Sequence, residues 1–140
     1  MVINHLNQQQ VSGVYDTTQS IAYITYQGVL SAKESAAAYK WLDQLIAKIG
    51  TDTLRGEIFD FSGVKVFTTE NLIDARRASR KMNIMHSTST FPVAMVVANA
   101  MQVEMLRGPM RNVQGNLRKS IVYCVDDAVQ FINDWHQQKG

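Results

Sequence analysis

Two hydrophobic periods alternate along this chain. Stretches of contiguous β-branched and aromatic residues give way to stretches whose apolar residues recur every three or four positions, the patterns of strand and amphipathic helix. Val11–Tyr15 and Ile21–Tyr26 are of the first kind, joined by the turn-forming run Asp16-Thr-Thr-Gln-Ser20. Gly28 and the polar run after it are expected to end the second strand. A helix then opens at Ser31-Ala-Lys-Glu34, where a Ser followed three residues later by Glu makes a capping box. Tyr39, Leu42, Ile46 and Ile49 form its apolar stripe, and Gly50 stands where a terminating glycine belongs.

The same alternation continues. Leu54–Phe61 reads as a strand closed by Gly63, and Thr68 or Thr69 caps a second helix that runs to about Ile84 with Leu72, Ala75, Ser79 and Met82 inward. Glu70 in its first turn suits the positive end of the helix dipole. His86-Ser-Thr-Ser-Thr90 is a polar loop. Phe91–Val97 is apolar throughout, including Pro92 near its start, which predicts a strand buried on both faces of a parallel sheet. Asn99 and Gln102 start a third helix along Val103, Leu106, Met110 and Val113, which Gly108-Pro109 must kink or split. Ile121–Val125 reads as another apolar strand, and Asp126 as the cap of a last helix with Val129, Phe131, Ile132 and Trp135 inward. The order β, β, α, β, α, β, α, β, α predicts one α/β domain over residues 1–140. Its sheet is mostly parallel, with an antiparallel N-terminal edge near Val11–Tyr15 and four helices.

Composition narrows the class. At 46% hydrophobic and 19% charged residues, the 140-residue chain is neither disordered nor fibrous. One cysteine, Cys124, excludes an internal disulfide framework and a multi-cysteine metal site. No run approaches the ~20 apolar residues of a membrane span, and the opening MVINHLNQQQ lacks the blocks of a secretory signal. A cytoplasmic protein is expected. The net charge is only +2, but residues 61–120 carry nine basic and three acidic side chains. Arg76, Arg77, Arg80 and Lys81 concentrate that excess on one predicted helix, as a solvated face or as an anion-binding site.

Catalytic signatures are missing. The sequence contains no G-x-S-x-G, no G-x-G-x-x-G and no G-x-x-x-x-G-K-[ST]. His5, His86 and His136 are far apart in sequence, and the last two sit in polar surroundings that predict solvated rings. Cys124 falls in an apolar run, where a thiol acts as a small buried hydrophobe. Seven methionines suit core filling or the lining of a soft ligand pocket. The segment from Ile58 to Leu72 joins a strand's carboxyl end to a helix's amino end, the usual place for ligands and partners in open α/β sheets. Its polar members include Asp60, Ser62, Lys65, Thr68, Thr69 and Glu70.

At this segment the chain resembles the SpoIIAA-like family, which includes the STAS domains and the anti-sigma-factor antagonists. The resemblance spans roughly residues 10–136. It rests on Gly28-Val-Leu-Ser-Ala-Lys-Glu34, Phe59-Asp-Phe-Ser-Gly-Val64, Phe91-Pro-Val-Ala-Met-Val-Val97 and Val125-Asp-Asp-Ala-Val-Gln-Phe-Ile132. Regulatory members carry an Asp-Ser-Ser/Thr-Gly-Leu box at the start of the second helix, with a serine phosphorylated by a partner kinase. The corresponding stretch here is Thr68-Thr69-Glu70-Asn71-Leu72. Thr68 replaces the aspartate and Glu70 the phosphorylated serine, so a permanent charge replaces the switch.

The resemblance and the missing catalytic motifs imply a non-enzymatic protein-interaction module without cofactor or metal, with Ser62, Lys65, Thr68, Thr69 and Glu70 on its partner surface. The alternative is a small-molecule binder for a lipid or anion that uses Arg76, Arg77, Arg80 and Lys81. The basic stretch lacks interleaved aromatics, which argues against nucleic acid. An exposed edge strand makes a homodimer an expected partner as well.

Overall fold

The computed structural model describes residues 5–86, 88–111 and 118–139. In chain order these form β1 (His5–Asn7), β2 (Val11–Asp16), β3 (Ile21–Leu30), α1 (Ala32–Ile49), β4 (Gly56–Phe67) and α2 (Thr69–Met85). A 3-10 turn (Thr88–Thr90), β5 (Val93–Val96), α3 (Ala100–Arg111), β6 (Lys119–Val122) and α4 (Val125–Lys139) follow. The six strands make one sheet in sequence order, β1-β2-β3-β4-β5-β6. The first three pair antiparallel, and β3 through β6 pair parallel.

Alternation along the strands separates two cores. On one face, Ala22, Ile24 and Tyr26 of β3 and Phe59 of β4 pack with Ala38, Trp41, Leu42, Leu45 and Ile46 of α1, Met82 of α2 and Leu106 of α3. On the other face, Ile21, Ile58, Ala94 and Val96 meet Ala128 and Ile132 of α4. The α1 stripe is turned slightly from its expected position. Trp41 and Leu45 join Leu42 and Ile46 inside, whereas Tyr39 and Ile49 are half-buried. Room for the indole comes from Gly13 on β2, where an added Cβ would lie 2.8 Å from the Trp41 ring.

Both glycines read as strand ends lie within strands. Gly28 adopts φ +76°, and the β3–β4 register shifts between Gly28 and Val29, so this glycine makes a bulge that a side chain would strain. At Gly63 an added Cβ would come 3.3 Å from the Tyr26 carbonyl oxygen, and β4 continues to Phe67. Only Glu57–Asp60 of β4 pair with β5. Beyond them Gln102 of α3 closes the open side, its Nε2 donating to the carbonyls of Phe61 and Val64, each at 2.9 Å. Asn99 Oδ1 accepts from the Gln102 amide at 2.9 Å, as expected of a helix start.

Four further expectations are revised. The edge strand is β1, which pairs with β2 through His5↔Val14 to Asn7↔Ser12, and three residues are too few to show a period. β6 begins at Lys119 and stops at Val122, leaving Tyr123 and Cys124 exposed. Asp126 lies within the first turn of α4 rather than at its cap, and the Ala128 amide donates to the Cys124 carbonyl. Gly108-Pro109 does not split α3, which runs as one helix to Arg111, and Val113 lies outside the described residues.

Candidate functional site

The anticipated strand-to-helix junction is mostly strand. Ser62 and Lys65 are exposed on the far half of β4, and the Ser62 amide and hydroxyl both donate to Asp60 Oδ1, at 2.9 and 2.6 Å. Next to them, Val29 and Val66 are register partners, 51% and 47% exposed. Thr68 is the α2 cap, its Oγ1 accepting from the Asn71 amide at 3.1 Å. Asn71 in turn is buried and donates through Nδ2 to the Ser31 carbonyl, which ties the starts of α1 and α2 together. Thr69 and Glu70 are exposed in the first turn.

Helical spacing brings Thr69 of the first candidate set onto the same surface as the basic cluster. Thr69, Ile73, Arg77, Arg80 and Ile84 follow one another at intervals of three or four, so they share the outer face of α2. Ile73, Arg76, Arg77, Arg80, Lys81 and Ile84 line a shallow depression there. Ile73 is 52% and Ile84 84% exposed, with the basic side chains between them. The face is therefore cationic with an apolar anchor at each end, whereas sequence reading treated the charges alone.

Under the same helix lies a cluster that sequence reading missed. Glu57 on β4 is 4% exposed, and its Oε2 has no hydrogen-bond partner. It borders a cavity of about 20 Å³, the size of a water molecule, between Tyr39 of α1, Ser79 and Asn83 of α2, Thr88, and Arg118 and Lys119 at the start of β6. Burial pushes the Glu57 carboxyl up to about 7, only partly offset by the charges of Arg118 and Lys119. Neither cation forms a salt bridge with it among the described residues. Arg118 instead donates through Nε to the Phe91 carbonyl at 2.8 Å and lies over the Phe91 ring. Burial also raises the Tyr39 hydroxyl, and Glu57 adds to that shift, while a hydrogen bond with Ser79 opposes it. Thr88 Oγ1 donates to Asn83 Oδ1 at 2.5 Å. These residues are scattered from position 39 to 119, so no spacing rule could have collected them. The one available signal was an acidic residue just before the apolar pair Ile58-Phe59 at the start of the strand.

The remaining candidates have structural partners. His86 Nε2 is 2.6 Å from Asp43 Oδ1, and the His86 amide donates to the Met82 carbonyl, so this residue closes α2 and ties it to α1 instead of standing in solvent. His136 Nε2 is 2.7 Å from the Arg55 carbonyl oxygen, which holds α4 to the segment before β4. Cys124 is exposed rather than buried. Among the described residues, no three His, Cys, Asp or Glu side chains converge as a metal site would require, and no helix is long and apolar enough to cross a membrane.

A six-stranded sheet with an antiparallel N-terminal end, three helices on one face and one on the other can be set beside solved structures. An uncharacterised protein of the DUF3478 family from Shewanella loihica PV-4, with a SpoIIAA-like fold, superposes with a TM-score of 0.61. The match covers 91% of this chain and 97% of that one at 14% identity. This chain has a SpoIIAA-like fold. No protein-family model and no curated protein matches it. The SpoIIAA-like likeness is therefore one of architecture, and the chemistry must be argued from the residues of this chain.

Proposed function

We propose that this SpoIIAA-like chain is a non-enzymatic protein-interaction module, and that it docks an acidic partner protein on the outer face of α2. The observation that carries this reading is the joint exposure of Ile73 and Ile84 around Arg77, Arg80 and Lys81. Large exposed apolar side chains within a charged rim are a common anatomy of interfaces. The cations sit at like-charge i,i+4 spacings, Arg76 with Arg80 and Arg77 with Lys81, which cost an isolated helix about 0.2–0.5 kcal/mol each. A partner rich in carboxylates relieves that repulsion, whereas a second copy of the same face increases it. Thr69 and Glu70 begin the face; Ser62 and Lys65 are exposed on β4, the strand that precedes it in the chain. Glu70, where the regulatory relatives carry their serine, makes recognition constitutive. The water-sized space beneath α2 offers no room for a lipid. A small anion on Arg76, Arg77, Arg80 and Lys81 is the alternative use of the same outer depression, and the paired exposure of Ile73 and Ile84 favours a protein.

The test is capture of the partner from the native host, identification by mass spectrometry, and titration calorimetry with purified components. Arg77→Glu/Arg80→Glu should weaken binding at least tenfold and lower its salt sensitivity, as expected when charge pairs are removed. Unchanged affinity in that variant, or affinity indifferent to salt in the wild type, removes α2 from the interface.

A further inference from the structure

Glu57 has no role in the docking surface, yet among the described residues its Oε2 is the buried side-chain polar atom left without a hydrogen-bond partner. A buried carboxyl oxygen without a hydrogen-bond partner is expensive to keep, and more so when ionised. Here it lies directly below a helix held by little apolar contact, since α2 buries only Asn71 and Met82. The cavity walls are polar on the helix side, through Ser79 and Asn83, and two cations border it without closing a salt bridge on Glu57.

We propose that Glu57 is a protonation-controlled seat for α2: the carboxyl supports the closed helix while it keeps its proton, and the C-terminal half of α2 loosens as that proton leaves and water enters the cavity. The neutral carboxyl has an O–H to offer the hydroxyl and amide oxygens around it. The carboxylate offers only lone pairs and requires solvation. Opening α2 supplies that solvation. The titratable and charged groups around Glu57 are Tyr26 of β3, Tyr39 of α1, and Arg118 and Lys119 at β6; α2 lines the cavity with the uncharged Ser79 and Asn83, and its Asp74 acts on Tyr26 and Tyr39. The direction follows from proton linkage. A carboxyl at about 7 in the closed state and near its ordinary 4.5 when hydrated binds its proton more tightly when closed. Closure is therefore strongest at low pH, weakens as pH rises through that window, and levels off above about 7.

The same helix carries the proposed docking face, so the inference deepens that reading by giving the face a pH dependence. Its test needs no partner and can fail independently. Hydrogen exchange of the α2 amides would be followed across pH 5 to 8 in the full chain, corrected for intrinsic rates. Protection at residues 75–85 should fall on the order of tenfold across the lower part of that range and flatten above pH 7, while α1 and α4 amides change little. Glu57→Gln should abolish the dependence. Should that variant not fold, Arg118→Met provides the second route. Removing a charge that lowers the Glu57 carboxyl should move the plateau to higher pH. His86→Gln, which removes the tie to Asp43, controls for that ring: it should lower protection in the last turn of α2 at every pH but keep the fall. A flat profile in the wild type overturns the proposal. So does an equal fall in every helix, persistence of the fall in folded Glu57→Gln, an unmoved plateau in Arg118→Met, or loss of the fall in His86→Gln.

Discussion

α1 and α2 lie side by side on the same face of the sheet and are nearly equal in length, 18 and 17 residues, yet they are built on opposite principles. α1 buries Ala38, Trp41, Leu42, Leu45 and Ile46 and is closed at its start by a reciprocal capping box. α2 buries Asn71 and Met82, is capped by one Thr hydroxyl, and is held largely by polar links: Asn71 to Ser31, Asp74 to Ser35, and His86 to Asp43. Its outer surface carries the concentration of positive charge. Burial of apolar area is the main term that fixes a helix in place. α1 is accordingly part of the foundation, and α2 is a helix positioned by directional contacts and kept available for other work. Function in such a fold is expected on an element with little core.

The largest effect should come from testing that asymmetry in the core. Leu42→Ala removes a fully buried side chain between α1 and the sheet, and should cost about 3 kcal/mol within the ~2–5 kcal/mol range of such truncations. Met82→Ala on α2 should fall at the lower end of that range, because its polar neighbours Ser79 and Asn83 let water replace lost contacts. Urea denaturation of both variants measures the difference. If Met82→Ala proves as costly as Leu42→Ala, α2 is as much a foundation element as α1.

The two helices also differ in how far the sequence revealed them. α1 was legible because all its determinants are local: Ser31 and Glu34 three residues apart, a regular apolar stripe, and Gly50 at the end. Its amide bonds to the Ile46 carbonyl at 2.8 Å, as expected. The α2 start at Thr68 and the basic cluster were legible for the same reason. What failed depended on distant segments. Gly28 and Gly63 looked like stops, because a bulge and a close approach of neighbouring backbone are visible only once β3 and β4 pair. The two hidden histidine contacts each bridge more than 40 positions, His86 to Asp43 and His136 to Arg55. Glu57 is the extreme case. In the pattern it is one charge beside apolar residues, and its burial exists only after α1, α2 and β6 assemble around it.

The helix starts provide a smaller and sharper comparison. At α1, Ser31 Oγ accepts from the Lys33 amide at 3.2 Å, and Glu34 Oε1 accepts from the Ser31 amide at 2.6 Å. Burial alone would raise the Glu34 carboxyl, but the hydrogen bonds from Ser31 hold it below its ordinary value. At α2, Thr68 makes the single cap bond to Asn71. Each cap should contribute about 1 kcal/mol, so Ser31→Ala and Thr68→Ala should both destabilise measurably. Only Ser31→Ala should also alter the acid limb. A carboxyl lowered by folding adds stability above its ordinary pKa that is lost as pH falls through the lowered value. Ser31→Ala keeps the backbone amide bond to Glu34 and loses only the hydroxyl's bonds to Glu34 and from Lys33. Stability curves at pH 3 to 6 should therefore draw closer for wild type and Ser31→Ala toward the acid end without meeting, while Thr68→Ala keeps a constant offset. An acid limb identical in all three chains would show that Glu34 is not coupled to its cap.

The smallest effect on stability is the most informative about purpose. Arg77→Ala/Arg80→Ala breaks both like-charge pairs on α2 and removes no described hydrogen bond or salt bridge. Alanine is also the better helix former. The variant should therefore be more stable than wild type, by roughly 0.4–1 kcal/mol from the two relieved pairs at low salt. That gain should shrink toward zero near 1 M salt, where screening acts over about 3 Å. A chain selected for stability alone would not keep four cations within six residues beside two exposed isoleucines. If removing two of them stabilises the fold and weakens partner binding in the same preparation, their retention is explained by the partner. If the variant is instead destabilised at low salt, the cations serve the fold, and the outer face of α2 loses its distinction from the structural face of α1.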